Sequence, residues 1–245
     1  MPELITIRCL SDNYAYLVHG GGQTALIDAP EAAPILAELA GRGWGLDAIL
    51  LTHHHDDHIQ AVPEIVAATG AEVWGNAADA ARLPPLDRAL SPGDTAGICG
   101  ERVEVIDVPG HTVGHVAYYM PDAGLVFTAD SLMAMGCGRL FEGSPAQMWA
   151  SLSRLAALPD DTLVCSGHDY ARGNGAFARA VDPGNAALAA RLEATLAGRR
   201  PASPATLADE KATNPFLRAA DLARPGEDAL AAFTRLRAGK DDFRG

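Results

Sequence analysis

Four of the chain's eight histidines and two aspartates stand within seven residues, "THHHDDH", Thr52 to His58. Imidazole nitrogen and carboxylate oxygen together suit zinc, and iron or manganese as the oxygen share rises. His53 and His55 are two apart and can project to the same side of an extended loop. Asp57 and His58 lie further on, where the chain turns into the next helix, so the two pairs point in different directions and predict two metals. A chance histidine run has no distant partners, but this one has three: His111 in "VPGHTVGH", Asp130 in "LVFTADS" and His168 in "LVCSGHDY". His54, Asp56 and His115 are read as supporting or packing residues, and His19 has no predicted role.

The elements that must position these groups are short strands and helices in alternation. "LITIRCL", "NYAYLVHG" and "TALIDAP" open the fold as a strand meander around a glycine turn. "EAAPILAELAGRG" places Ile35, Leu36 and Leu39 on one helical face with Gly41 or Gly43 as its stop. "DAILLT" is a short buried strand, "PEIVAATG" a helix closed by glycine, and "AEVWGN", "RVEVIDVPG", "VAYYMP", "LVFTAD" and "TLVCSG" are further strands. "SPAQMWASLSRLAALPD" is a helix capped by Ser144, with Pro145 in its first turn and Met148, Leu152 and Leu155 as its apolar stripe. The opening cluster therefore occupies a loop at the C-terminal end of a buried strand, where α/β proteins place their chemistry. After about Tyr170 strand signals vanish. "NAALAARLEATLAGRR" and "EDALAAFTRLRAGKDDF" read as helices separated by a proline-punctuated loop, "RRPASPATLADEKATNPFLRA". An α/β domain over 1–169 followed by a helical one over 170–245 is expected.

At 245 residues the chain can bury a substantial core. A net charge of −12 disfavours nucleic acid or an anionic membrane surface as partner and leaves a small molecule as the natural ligand. No apolar run is long enough to span a bilayer. The start, "MPELITIRCL", lacks a signal-peptide profile. Cys9, Cys99, Cys137 and Cys165 are scattered without a Cys-x-x-Cys pair, so reduced, buried thiols in a cytoplasmic protein are expected.

His-x-His-x-Asp-His followed by distant His, Asp and His resembles the metallo-β-lactamase fold superfamily. Within it the chain is similar to glyoxalase II, the hydroxyacylglutathione hydrolases, through "DNY", "THHHDDH", "GHTVGH", "FTADSL", "GCGRLFEG", "SGHDY", "DPGN", "NPFLR" and "RAGKDDF". The metal motif is specific for the superfamily, and "GCGRLFEG" with the C-terminal segment points to the subfamily. The resemblance implies a four-layered αββα sandwich with a small C-terminal all-helical domain. It assigns His53, His55 and His111 to one metal and Asp57, His58 and His168 to the other. Asp130 bridges them, and Asp57 and Asp130 hold a bridging hydroxide. Asp28, in "LIDAP", matches an aspartate that supports a metal-bound histidine.

The activity so implied is hydrolysis of S-D-lactoylglutathione and related 2-hydroxyacyl thioesters, the second step of methylglyoxal detoxification. It would use two divalent ions, zinc foremost with iron or manganese as alternatives, in a cytoplasmic monomer. The resemblance also assigns glutathione contacts to Arg139, Phe141, Tyr170, Arg237 and Lys240. Phe141 stands where the family often has tyrosine. Asp56 and "HIQAV" depart from the family pattern too. These departures bear on substrate preference rather than on the metal chemistry. The rival functions are a mononuclear-iron glutathione persulfide dioxygenase, another metallo-hydrolase of the superfamily, and a non-enzymatic metal or glutathione binder. The extended helical tail with its basic pair favours the hydrolase over the dioxygenase.

Overall fold

The computed structural model describes residues 1–244 and divides into two compact units, Met1–Asp107 with Gly114–Thr128, and Val108–Val113 with Ala129–Gly245.

The first unit is built on a six-stranded sheet in the order β1 (Glu3–Cys9), β2 (Asn13–Gly20), β3 (Gln23–Ile27), β4 (Ala48–Leu50), β5 (Glu72–Asn76), β6 (Arg88–Leu90). β1 to β3 form the antiparallel meander expected from their tight turns, whereas β3 to β6 run parallel. Parallel neighbours need crossovers, and helices supply two of them. Helix α1 (Ala32–Arg42) ends at Gly43, and α3 (Val62–Thr69) ends at Gly70. Both glycines take a left-handed φ, 67° and 73°, so Gly43 rather than Gly41 is the stop of α1.

Ala32, Ile35 and Leu39 of α1 and Val62 and Ile65 of α3 pack with Ala15, Leu17, Leu26, Ile49 and Val73 of the sheet. The opposite face is also buried: Tyr16 meets Phe127 with ring centroids 5.7 Å apart. Phe127 belongs to β10 (Leu125–Ala129), which continues an antiparallel meander from β7 (Thr95–Ile98), β8 (Glu101–Asp107) and β9 (Val116–Met120). Burial on two faces explains why β4 and β9 read as continuous apolar runs instead of alternating ones.

The second unit carries the hairpin of β11 (Leu132–Met133) and β12 (Gly136–Cys137), the antiparallel pair β13 (Leu163–Ser166) and β14 (Ala205–Thr206), and five helices. Among these, α4 (Pro145–Ala156) has the predicted Ser144 cap, completed as a capping box by Gln147, and buries Met148, Leu152 and Leu155. The expected helices near 186 and 230 are α6 (Ala186–Leu196) and α8 (Ala229–Asp242).

Three elements here differ from the sequence expectation. Helix α5 (Ala171–Val181) forms despite Gly173 and Gly175, and Gly175 lets it approach α6, since a side chain there would collide with Leu192. The stretch expected as loop contains β14 and α7 (Leu207–Thr213), the latter capped by the Thr206 hydroxyl. Close helix packing and a two-residue edge strand are tertiary features, so local propensity underrates them. All four cysteines are buried thiols. Burial pushes Cys99 up to about 11 and Cys9, which also faces Glu31, up to about 12.

Candidate metal centre

In the first unit β4 delivers the chain to Thr52 and the histidine loop. The Tyr118 hydroxyl donates to the carbonyl of Leu51 at 2.8 Å, and the Val116 amide donates to that of Thr52 at 3.0 Å. Burial, together with the charge of Asp28, raises the Tyr118 pKa and keeps its phenol a neutral donor. His55 then leads into the short helix α2 (Asp56–Ile59), whose first turn holds Asp57 and His58.

Asp28 organises this loop from the end of β3. Its Oδ1 accepts the Thr52 amide at 2.8 Å, and its Oδ2 accepts both the Thr52 hydroxyl and His58 Nδ1–H at 2.8 Å. The Thr52 hydroxyl, having donated to Asp28, accepts from His53 Nδ1 at 3.0 Å. Both histidines are thereby fixed with the proton on Nδ1 and the lone pair on Nε2, the arrangement a metal ligand needs. His53 Nε2 lies 3.2 Å from His55 Nδ1, and His58 Nε2 lies 3.8 Å from Asp57 Oδ2. Asn13 donates to the Asp57 carbonyl and carboxylate, each at 3.0 Å, fixing that side chain. Asp28, His53 and His58 have ligand atoms within 4.8 Å of one another, but Asp28 is committed to three donors and serves as orienter instead of ligand.

Asp28 has a left-handed φ of 58°, unusual for a residue with a side chain. Such backbone strain persists where surrounding bonds over-determine it, as the three bonds to Asp28 do here.

The residues read as supporting also find their places. His54 turns to Asp79, Nδ1 to Oδ2 3.2 Å, and Arg82 Nε donates to Asp79 Oδ1 at 2.5 Å. A Cβ at Gly114 would lie 2.5 Å from the Asp79 carboxyl carbon, so that glycine makes room for the pair. His115 is fully buried and stacks on His53 at 4.6 Å. His19, without a predicted role, stacks on Trp44 at 4.1 Å.

In the second unit His111, Asp130 and His168 come together. Asp130 Oδ2 lies 3.3 Å from His111 Nε2 and 3.4 Å from His168 Nε2, and all three side chains are buried. His111 Nδ1–H donates to the carbonyl of Arg139 at 2.8 Å, which again leaves the lone pair on Nε2. Ala129, just before Asp130, is left-handed with φ 40°, and its carbonyl accepts the amide of Gly167 at 2.9 Å, next to His168. Gly138 lacks a Cβ where one would strike the Asp130 carbonyl and crowd His111 Nδ1.

The expected substrate contacts lie in this same unit. Phe141, 62% exposed, sets its edge against His111 with centroids 5.3 Å apart; Tyr170, 43% exposed, stacks on His168 at 4.7 Å. Arg139 extends with its guanidinium 5.9 Å from the Phe141 ring and Nε 3.4 Å from Asp241. Arg237 is buried. It donates to the Cys137 carbonyl at 2.8 Å and to Asp241 at 2.9 Å, and its guanidinium sits over Phe216 at 5.1 Å. It is therefore a structural cation as well as a candidate contact. Lys240 is half-buried, and desolvation with the neighbouring Arg237 lowers its pKa.

These His and Asp clusters have the donor chemistry of a metal site. Residues 10–168 match the metallo-β-lactamase superfamily, and residues 169–243 match the hydroxyacylglutathione hydrolase C-terminus. A hydroxyacylglutathione hydrolase from Fuscovulum blasticum is 60% identical over 253 residues, covering 98% of this chain and 99% of that one. The chain belongs to the hydroxyacylglutathione hydrolase family. The family's enzyme from Ruegeria pomeroyi is 57% identical, with 99% and 100% covered. Among solved structures, ETHE1 from Myxococcus xanthus superposes with a TM-score of 0.70 at 26% identity, over 97% of this chain and 90% of that one. TTHA1623, solved in a di-iron-bound form, does so at 0.60 and 33%, over 68% and 92%. The fold is thus the α/β metallo-β-lactamase fold with the family's helical C-terminal region.

Thr52 and Asn13, which hydrogen-bond to members of the cluster, are positions that spacing alone did not single out. A threonine directly between an apolar strand and a histidine run was the available signal for the first. For the second it was only the quoted "DNY".

Proposed function

We propose that this chain hydrolyses S-D-lactoylglutathione and related 2-hydroxyacylglutathiones to glutathione and the 2-hydroxy acid. The carrying observation is that its C-terminal residues 169–243 match the family's own C-terminal region, downstream of a superfamily metal-binding region. We infer two metal positions, one held by His53, His55 and His111 and the other by Asp57, His58 and His168, with Asp130 shared. Zinc is the first choice, and iron or manganese suits the same donors. Support comes from the tautomers: Thr52, Asp28 and the Arg139 carbonyl put the lone pair on Nε2 of His53, His58 and His111 respectively. Divalent ions bound there supply a water acidified toward neutral pH and a Lewis acid for the thioester carbonyl.

The protein's own work is positioning. Asn13 holds Asp57, and Asp28 holds the histidine loop, so the ligand set need not reorganise during turnover. The leaving group is a thiolate, whose conjugate acid has a pKa of about 8.5, so no side chain must deliver a proton to it. Residues 1–169 would carry the metals, and 170–245, together with Arg139 and Phe141, would shape the glutathione site. Arg139, Arg237 and Lys240 offset the tripeptide's carboxylates against a chain of net charge −12, while Phe141 and Tyr170 offer apolar faces. Among the described residues no helix is long and apolar enough to cross a membrane. A cytoplasmic monomer acting on a small molecule is the accompanying proposal.

The test follows thioester absorbance of S-D-lactoylglutathione before and after chelation. Activity is expected to vanish on chelation and return with added zinc, iron or manganese. No turnover by metal-loaded protein would move the reading to persulfide oxidation. Lys240→Ala and Arg237→Ala are each expected to raise KM more than they lower kcat, since they remove binding shared by ground and transition states. Arg237→Ala should have the larger effect, because it also releases the Cys137 carbonyl. A large fall in kcat at unchanged KM would remove both from the glutathione site.

A further inference from the structure

We infer that Asn214, with Phe216 two residues on, is a positioning residue for glutathione recognition. It would act by fixing the β11–β12 hairpin and the loop that leads to Arg139; this rests on the glutathione contacts proposed above. The Asn214 side chain is fully buried. Its Nδ2 donates to the carbonyls of Met133 at 3.1 Å and Gly136 at 2.8 Å, one on each arm of the hairpin, and its Oδ1 accepts the amide of Phe216 at 3.1 Å.

Glu210, one turn earlier on α7, accepts from Asn214 Nδ2 at 3.1 Å and from the Met135 amide at the hairpin tip at 3.0 Å. Met135 is left-handed, φ 55°, and is held so from outside the hairpin. A buried ion pair with Arg191 of α6 fixes Glu210, and Arg191 also donates to Thr213 at 2.7 Å. The Phe216 ring lies beneath Arg237, which returns to the hairpin at Cys137. Hairpin, Asn214, Phe216 and Arg237 thus close a ring of contacts.

A two-residue-per-strand hairpin has too few ladder bonds to hold its own register. The Asn214 amide replaces them with side-chain bonds that bind both arms at once. The segment so fixed runs directly into Gly138 and Arg139 and carries the carbonyl that anchors Arg237. Two of the three proposed glutathione cations, Arg139 and Arg237, therefore depend on one buried amide placed outside the proposed substrate and metal contacts.

The test uses the full-length, metal-loaded protein with Asn214→Asp, which keeps the shape but removes all three donated bonds, to Met133, Gly136 and Glu210, and with Phe216→Leu as the second variant. KM and kcat are measured on S-D-lactoylglutathione and on a truncated lactoyl thioester lacking the glutathione peptide, alongside metal content and thermal melting. A positioning role predicts a KM for the glutathione thioester raised by about tenfold, with kcat changed little. It also predicts unchanged kcat/KM on the truncated thioester and unchanged metal content. Equal losses on both substrates would mean a purely structural residue, and an unchanged KM in a folded variant would overturn the inference. If Asn214→Asp does not fold, Phe216→Leu decides by the same split. Lys240→Ala separates the two layers. Should it leave KM unchanged, the proposed glutathione site itself fails; should it raise KM while the Asn214 and Phe216 variants do not, only the positioning role fails.

Discussion

Asp130→Ala is expected to lose bound metal and hydrolysis together. Asp130 Oδ2 stands 3.3 Å from one imidazole Nε2 and 3.4 Å from another, at a buried position. Losing a group that merely supports a metal ligand costs roughly 10–100-fold in affinity or activity. If Asp130 is shared as proposed, its removal should exceed that, because both proposed ions would lose an anionic donor and their mutual repulsion would no longer be offset. Metal analysis of the purified variant, beside its turnover of S-D-lactoylglutathione, checks this. A folded Asp130→Ala protein with its full metal complement would end the proposal that Asp130 is shared.

Asp28→Asn should give the second-largest effect, although residue 28 touches no substrate. Asparagine tolerates the left-handed backbone at this position, so the conformation can survive. The hydrogen bonds cannot. Both carboxylate oxygens act as acceptors, for the Thr52 amide, the Thr52 hydroxyl and His58 Nδ1–H. An amide offers one oxygen, so its NH2 must face at least one of these donors. If it faces His58, the ring relaxes by moving its proton to Nε2, which destroys that nitrogen as a ligand. If it faces the Thr52 amide, the unmet buried donor costs about 1–3 kcal/mol. Metal affinity is expected to fall roughly 10–100-fold, with activity recovered in part at high metal concentration. Titration of the apo-variant with zinc measures it, and wild-type affinity would show that Asp28 is only a turn residue.

The two variants probe different layers of one design. In the proposed site Asp130 would supply a ligand, whereas Asp28 sets which ring nitrogen of His58 carries the lone pair and, through the Thr52 hydroxyl, does the same for His53. Left-handed backbone marks Asp28 itself and Ala129, next to Asp130.

Much of this was legible from the chain alone. Ligand chemistry belongs to residue types, so "THHHDDH" announced a metal site wherever it might fold. Hydrophobic runs and glycine stops located β4, α1, α3, α4 and α8, because periodicity and capping act over a few neighbours. The family resemblance rested on local motifs for the same reason. What the sequence could not determine was anything fixed by partners far along the chain. The assignment of His54 to Asp79, the three bonds of Asp28, and the burial of Arg237 over Phe216 all join residues with no local pattern between them. Helices α5 and α7 escaped detection because packing, rather than propensity, makes them. Composition and spacing chose the donor atoms; the tertiary fold chose their protons, since a tautomer depends on whichever acceptor the rest of the chain brings to the other nitrogen.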